Sequence, residues 1–147
     1  MIEKNKKISI GCDHAGYLLK EVIKKLLLQE GYEVKDNGAF SESSVDYPDF
    51  AHMVAKDIAS ENYQKGILIC GSGNGVCMTA NKHMEIRAAL CWNEEIAKLS
   101  RLHNDANIVC IPARFLDTAV AIDIVNSFLN TEFEGGRHEL RVKKIPL

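Results

Sequence analysis

The sequence predicts an α/β protein in which a five-stranded parallel sheet lies between two helical layers, a three-layer α/β/α sandwich. Short apolar segments alternate five times with segments whose apolar residues recur at helical spacing, which is typical of parallel sheets. The segment GILIC is apolar throughout, as expected of a strand buried on both faces. The length of 147 residues fits a single domain, taken as residues 1–147. The expected strand order is 2-1-3-4-5, by analogy with other doubly wound sheets.

Local signals mark the ends of several of the predicted elements. The predicted strands cover residues 7–12, 32–36, 66–70, 86–92 and 106–111. The predicted helices cover residues 17–30, 48–62, 76–83, 93–103 and 115–130. Gly31 ends the first helix, Pro48 suits the first turn of the second, and Asn93 is a typical N-cap for the fourth. The basic tail EGGRHELRVKKIPL is expected to be partly helical or extended.

Composition and charge exclude several functional classes. A formal net charge of -2 gives no reason to expect a nucleic acid or an anionic membrane as partner. No apolar run approaches the length of a membrane span, and MIEKNKKISIG lacks a secretory apolar core. The cysteines are odd in number and form no CxxC pair, so we expect reduced thiols in a cytoplasmic protein. They are Cys12, Cys70, Cys77, Cys91 and Cys110.

The stretch CGSGNG, residues 70–75, follows the clearest strand and fails to match several familiar loops. A P-loop counted from Gly66 needs lysine where Ser72 stands. A dinucleotide loop needs glycine, and a cysteine phosphatase loop needs arginine, where Val76 stands. A nucleophile elbow needs glycine in place of Cys70.

The residues of this stretch favour a thiol beside an oxyanion cradle. Glycines at 71, 73 and 75 allow backbone N–H groups to point inward around a small electron-rich group. They begin a predicted helix, whose unpaired N–H donors and partial positive charge favour the thiolate form of Cys70. Such a pair suits removal of a carbon-bound proton, with the enediolate held by the amides. The alternative is a buried cysteine in a tight turn, and the three glycines with Ser72 favour the functional interpretation.

Five motifs in order resemble one family over essentially the whole chain. They are GCDHAG, DYPDFA, CGSGNG followed by ANK, SRLHNDANI and EGGRHELRV. Together they resemble the RpiB/LacAB family of sugar-phosphate isomerases, which includes ribose-5-phosphate isomerase type B. The resemblance implies a Rossmann-like sandwich and no metal or organic cofactor. It also implies a homodimer, or a tetramer, whose active sites lie at the subunit interface.

The resemblance assigns the proton-transfer chemistry to four side chains. Cys70 resembles the family's base, which moves the proton between C1 and C2. Ser72 stands where the family often has threonine, and it keeps the hydroxyl that can move the proton between O1 and O2. Asp13 and His103 resemble the acid and base that open the sugar ring. Without the resemblance, Asp13 would be interpreted as a helix cap and His103 as an exposed helix end. Amides for the enediolate would come from Gly71, Gly73, Asn74 and Gly75, where Asn74 replaces a commonly apolar residue.

The remaining matched residues concern the sugar and its phosphate. The phosphate would be bound by His14, Arg114, Arg137 and Arg141. Arg137 and Arg141 would share a helix face, although a solvated basic stretch is the usual interpretation of such spacing. Asn104 is expected to bind sugar hydroxyls, and Tyr47 either contacts the substrate or anchors a loop. In the family the HND segment and its arginine come from the second subunit.

The resemblance therefore implies an aldose–ketose isomerase that interconverts D-ribose 5-phosphate and D-ribulose 5-phosphate in the non-oxidative pentose phosphate branch. One alternative is the same chemistry on a hexose 6-phosphate such as galactose or allose 6-phosphate. Another is a non-enzymatic phosphate-ligand sensor on the same fold, since fold does not decide function. Such a sensor would not need Cys70, Asp13 and His103 together.

Overall fold

A computed structural model describes residues 6–146. Met1–Asn5 and Leu147 lie outside the described residues, and so do the ends of the domain expected over residues 1–147 and the first part of MIEKNKKISIG. The strands are β1 (Lys7–Cys12), β2 (Glu33–Asp36), β3 (Lys65–Cys70), β4 (Ala88–Leu90) and β5 (Ile108–Pro112). The helices are α1 (Tyr17–Gln29), α2 (Tyr47–Ala59), α3 (Asn74–Ala80), α4 (Glu94–Leu102), α5 (Thr118–Asn130) and α6 (Arg137–Lys143). Short 3-10 turns cover His14–Gly16 and Ala113–Phe115.

The sheet is parallel throughout, as expected, but its strand order is β2-β1-β3-β5-β4, so the predicted order 2-1-3-4-5 is wrong at the last two strands. The burial of the two strands gives the physical reason. All five residues of β5 are buried, whereas β4 has only three residues and all are half-buried. The more apolar strand occupies the interior of the sheet, and the short strand forms its edge.

The core has two parts, one on each face of the sheet. Helices α1, α4 and α5 pack on one face and α2 and α3 on the other, which confirms the three-layer sandwich. Side chains alternate between the faces along a strand. Ile69 therefore belongs to the first part of the core and Cys70 to the second, beneath α2 and α3.

A buried charge pair supports the loop between β2 and α2. The Lys20 side chain is fully buried, and its Nζ donates to both carboxylate oxygens of Asp36 at 2.7 Å. Asp36 also accepts from Lys24 and from the backbone N–H of Gly38 in the loop. Burial raises the pKa of Asp36, but the two lysines outweigh it and the pKa lies below its ordinary value. The pair therefore ties α1, β2 and the loop together only while the carboxylate is ionised.

No helix among residues 6–146 combines the length and the apolar character needed to cross a bilayer.

Asp36→Asn should lower the free energy of unfolding by about 3 kcal/mol, because it leaves the Lys20 charge buried without its main partner. Lys20→Met/Asp36→Asn should recover most of this loss. The Asp36 pKa is depressed in the folded state, so its stabilisation is present above about pH 4 and is lost as the pH falls through the folded-state pKa. Urea unfolding from pH 7 to pH 3 measures both effects. Equal stability of the single and double variants would contradict the pairing.

Candidate active site

Three strand ends bring chemistry-bearing residues to one edge of the sheet. Cys12 of β1 pairs with Ile69, and Cys70 of β3 pairs with Pro112 of β5, so the three carboxyl ends lie almost level. The backbone N–H of Asp13 donates to Ile69 O at 3.2 Å, and that of Arg114 donates to Gly71 O at 3.0 Å. Residues that follow the strands are thereby held beside Cys70, as expected for a doubly wound sheet.

These residues enclose a cavity of about 490 Å³. Its lining consists of Asp13, Tyr47, Cys70, Gly71, Ser72, Gly75, Arg114 and Phe115. Only 4% of Cys70 is exposed, so its thiol is buried yet borders the cavity. Seven of the eight lining residues were predicted from the sequence, and Phe115 was not.

The loop that follows Cys70 depends on the conformation of Gly73, which adopts φ +75° as the N-cap of α3. A side chain there would be strained, and a Cβ would contact Leu90 and the backbone of Ile111 and Pro112. Ser72 Oγ accepts from the Asn74 N–H at 3.3 Å, which fixes the hydroxyl at the exposed side of the loop. The Asn74 side chain is exposed.

Tyr47 covers the loop from the first turn of α2. A Cβ built on Gly75 would lie 2.6 Å from Tyr47 Cε2 and Cζ, so the ring packs directly on the glycine backbone. The ring is 40% exposed, and its other side faces solvent at the cavity. Tyr47 therefore packs on the loop as an anchor and also lines the cavity, while its contact with a substrate stays a prediction.

In Asp13 and in His14, one side-chain atom accepts hydrogen bonds from backbone N–H groups. Asp13 Oδ1 accepts from the N–H groups of Ala15 and Gly16, so it is a cap, and Oδ2 remains available to a ligand. His14 Nδ1 accepts from the Val45 N–H at 3.2 Å. An accepting Nδ1 carries no proton, so the proton of neutral His14 resides on Nε2, which becomes a hydrogen-bond donor.

Seven predicted residues do not line the Cys70 cavity: His14, Gly73 and Asn74 adjoin residues that do, and the other four lie elsewhere in the chain. Of the described residues 6–146, His103, Asn104, Arg137 and Arg141 are absent from the lining of the Cys70 cavity. Asn104 borders a different cavity of about 470 Å³. Arg137 and Arg141 both lie on helix α6, and both are exposed. A single chain therefore does not bring the predicted site together.

His103 belongs to a cluster that the sequence analysis missed. It ends α4 and stacks on His138 with ring centroids 4.2 Å apart, and Glu134 Oε2 lies 3.8 Å from Nε2 of each ring. Burial and the neighbouring His103 and Arg137 lower the pKa of His138. The spacing of four residues between Glu134 and His138 could have indicated this cluster in the sequence. A second pair, His52 Nδ1 and His83 Nε2, lies 2.8 Å apart and has no such signal.

None of the other four thiols, all among the described residues, lines the Cys70 cavity. Cys12, Cys91 and Cys110 are buried, and Cys77 is half-buried. Burial raises the pKa of Cys12 to about 12 and that of Cys91 to about 11. Both belong to the part of the core that packs beneath α1, α4 and α5.

Comparisons with known proteins agree with the motif resemblance. A family model described as Ribose/Galactose Isomerase matches residues 8–145. Ribose-5-phosphate isomerase B of Escherichia coli strain K12 is 44% identical over 140 residues, which cover 95% of this chain and 94% of the relative. A ribose 5-phosphate isomerase RpiB structure from Thermotoga maritima has a TM-score of 0.94 and 49% identity, covering 95% of this chain and 97% of that one. The Mycoplasma genitalium ribose-5-phosphate isomerase B with bound ribulose-5-phosphate has a TM-score of 0.90 and 43% identity, covering 95% and 93%.

Gly75→Ala should destabilise the protein by about 1–3 kcal/mol, because the new methyl overlaps the Tyr47 ring. Tyr47→Ala/Gly75→Ala should be at least as stable as Tyr47→Ala, since alanine is favoured over glycine in a helix by about 0.5–1 kcal/mol. Urea unfolding of the wild type, both single variants and the double variant gives the coupling energy. Additive effects would argue against this contact.

Proposed function

This chain belongs to the ribose/galactose isomerase family, and we propose that it interconverts D-ribose 5-phosphate and D-ribulose 5-phosphate in the cytoplasm, within the non-oxidative pentose phosphate branch. The observation that carries the proposal is the cavity in which the Cys70 thiol meets the glycine loop, Asp13 and Arg114. The names of the Escherichia coli relative and of the ligand bound to the Mycoplasma genitalium protein support the choice of a pentose phosphate.

The proposed reaction is a proton transfer between neighbouring carbons. The Cys70 thiolate removes the proton from C2 of the open-chain aldose, and the electron pair moves onto the carbonyl oxygen at C1 to give an enediolate. Amides of the 71–75 loop stabilise that oxygen. The Ser72 hydroxyl carries the hydroxyl proton between O2 and O1, and the Cys70 thiol returns its proton to C1. The protein ends in its starting protonation state.

Ring opening precedes the proton transfer, because sugar phosphates are mostly closed. Asp13 Oδ2 accepts the proton of the anomeric hydroxyl, and His103 donates a proton to the ring oxygen. In the single chain His103 is not part of the cavity that Asp13 lines. The proposal therefore requires His103 from a second subunit.

A homodimer would join the two halves of the site. One subunit supplies the thiol cavity with His14 and Arg114, and its partner supplies His103, Asn104, Arg137 and Arg141. The two tail arginines are exposed and four residues apart on α6, which suits a dianionic phosphate. Phe115 is 74% exposed at the cavity, a position that favours coverage by another subunit.

Cys70→Ala should reduce turnover by at least about a hundredfold, because general acid–base catalysis contributes of this order. The substitution removes one buried sulfur, so the fold and ribose 5-phosphate binding should be retained. Ketose formation is followed spectrophotometrically, and binding by calorimetry, for this variant and for Cys91→Ala as a control. Wild-type turnover by Cys70→Ala would rule out the cysteine as base.

The shared site predicts complementation between two inactive variants. Cys70→Ala lacks the base, and Arg137→Ala/Arg141→Ala lacks the proposed phosphate clamp. A hybrid dimer contains one intact site and one doubly defective site. Random reassortment after mixing should restore about a quarter of the wild-type rate. Mixing Cys70→Ala with a chain that carries all three substitutions is the control and should restore nothing. Equal rates in the two mixtures would contradict a site shared between subunits.

A further inference from the structure

We propose that His103, Glu134 and His138 form a binding site for a divalent transition metal such as Zn²⁺, and that its occupancy inhibits the isomerase. The metal-binding part depends only on these three side chains. The inhibitory part rests on the proposed function, in which His103 opens the sugar ring. Nothing in this inference makes the metal a participant in the reaction.

The three donor atoms already lie close to one another. One ring nitrogen of His103, one of His138 and a Glu134 carboxylate oxygen all lie within 4.8 Å of one another. Each imidazole nitrogen is 3.8 Å from Glu134 Oε2. Ligand atoms around a tetrahedral zinc ion are about 3.3 Å apart. Each nitrogen–carboxylate distance therefore exceeds the spacing of zinc ligands by about 0.5 Å, and the His103 ring must also turn.

The donor set is one that zinc and related ions use. Two imidazoles with one carboxylate bind catalytic zinc and non-haem iron in other proteins and leave further coordination positions to water. The neutral imidazoles donate lone pairs, and the carboxylate offsets one of the two charges of the ion. The exposed Arg137 and Arg141 lie on the same helix as His138 and oppose cation binding. We therefore expect reversible binding and not a permanently held structural ion.

The buried nitrogen of His138 gives independent evidence for a ligand. Only 6% of His138 is exposed, and its Nε2 is buried without a hydrogen-bond partner among the residues that the structure describes. This nitrogen faces Glu134 at the centre of the cluster. Buried polar atoms are normally paired, so an unpaired one requires an explanation. A metal ion between the three side chains would satisfy it.

Backbone contacts bring the three residues of the cluster together. The N–H of Glu134 donates to Leu102 O at 3.1 Å, which joins the tail to the end of α4 beside His103. Gly135 and Gly136 have positive φ values of 71° and 55° and turn the chain into α6. That turn places His138 beside Glu134.

His103 is the ligand with freedom to adjust. The two rings are nearly parallel, with an interplanar angle of 14°, whereas one ion must lie in the plane of both. The His103 side chain is 37% exposed and can tilt, while the buried His138 remains in place. Metal binding thus reorients the imidazole that ring opening needs, which is the proposed cause of inhibition.

The experiment measures metal binding and activity separately on the full chain. Protein freed of metal with a chelator is dialysed against Zn²⁺, and Co²⁺ serves as an absorbing probe. We expect one ion per chain and at least about tenfold weaker binding by His138→Gln and by Glu134→Gln. Glu134 is exposed, so its variant remains informative if His138→Gln does not fold. His83→Gln removes a histidine outside the cluster and should bind the ion as the wild type does.

A second control excludes the active-site thiol. Cys70→Ala should bind the ion normally, and the Co²⁺ spectrum should lack the intense sulfur-to-metal charge-transfer band. Loss of binding in Cys70→Ala, with binding retained by both cluster variants, would overturn the proposal. So would the absence of any bound Zn²⁺.

Activity then tests the inhibitory part. Zn²⁺ should slow ketose formation by the wild type, chelator should reverse this, and Glu134→Gln should resist it. An active wild type that binds no metal would refute this inference and leave the proposed function standing. A protein that binds metal at the cluster but forms no ketose would refute the proposed function and leave the metal site standing.

Discussion

The register of three central strands is the constraint on which the candidate site depends. Cys12 pairs with Ile69, and Cys70 with Pro112, so β1, β3 and β5 end at one level. A one-residue slip of β3 would turn Cys70 to the opposite face, away from α2 and α3. The backbone bonds from Asp13 to β3 and from Arg114 to Gly71 preserve this register at the cavity itself.

Close packing then limits which residues the cavity walls accept. Gly75 lies directly beneath the Tyr47 ring, and Gly73 adopts a left-handed conformation against β4 and β5. The loop is therefore held by contacts with α2 and with two strands and does not rely on a short helix alone. A rigid cradle of backbone amides is what stabilisation of an oxyanion requires, since preorganised donors need no rearrangement during the reaction.

The predicted site residues are divided between two places in the chain, and this division is the reason why the proposed reaction needs two subunits. The thiol cavity is built from the ends of β1, β3 and β5, whereas His103 and the arginine-bearing tail are joined through the Glu134–Leu102 backbone bond. Each half is organised within one chain, but neither is sufficient for the proposed reaction. The same tail places Glu134 and His138 around His103, so the proposed phosphate clamp, the proposed ring-opening imidazole and the proposed metal site converge on one region.

The sequence by itself determined the layered α/β architecture, because the periodicities of strands and helices are local properties of the chain. The strand-end rule also pointed to the segments that hold Asp13 and Cys70, whereas Tyr47 and Arg114 were assigned through the family resemblance. Only the tertiary structure decided that β5 occupies the interior of the sheet and β4 its edge, because strand order depends on competition for burial between distant segments. It also decided that His138 stacks on His103, since the hydrogen bond that brings their segments together spans thirty-two residues of sequence, from Leu102 to Glu134. Such contacts leave no periodic or local signal for a single sequence to display.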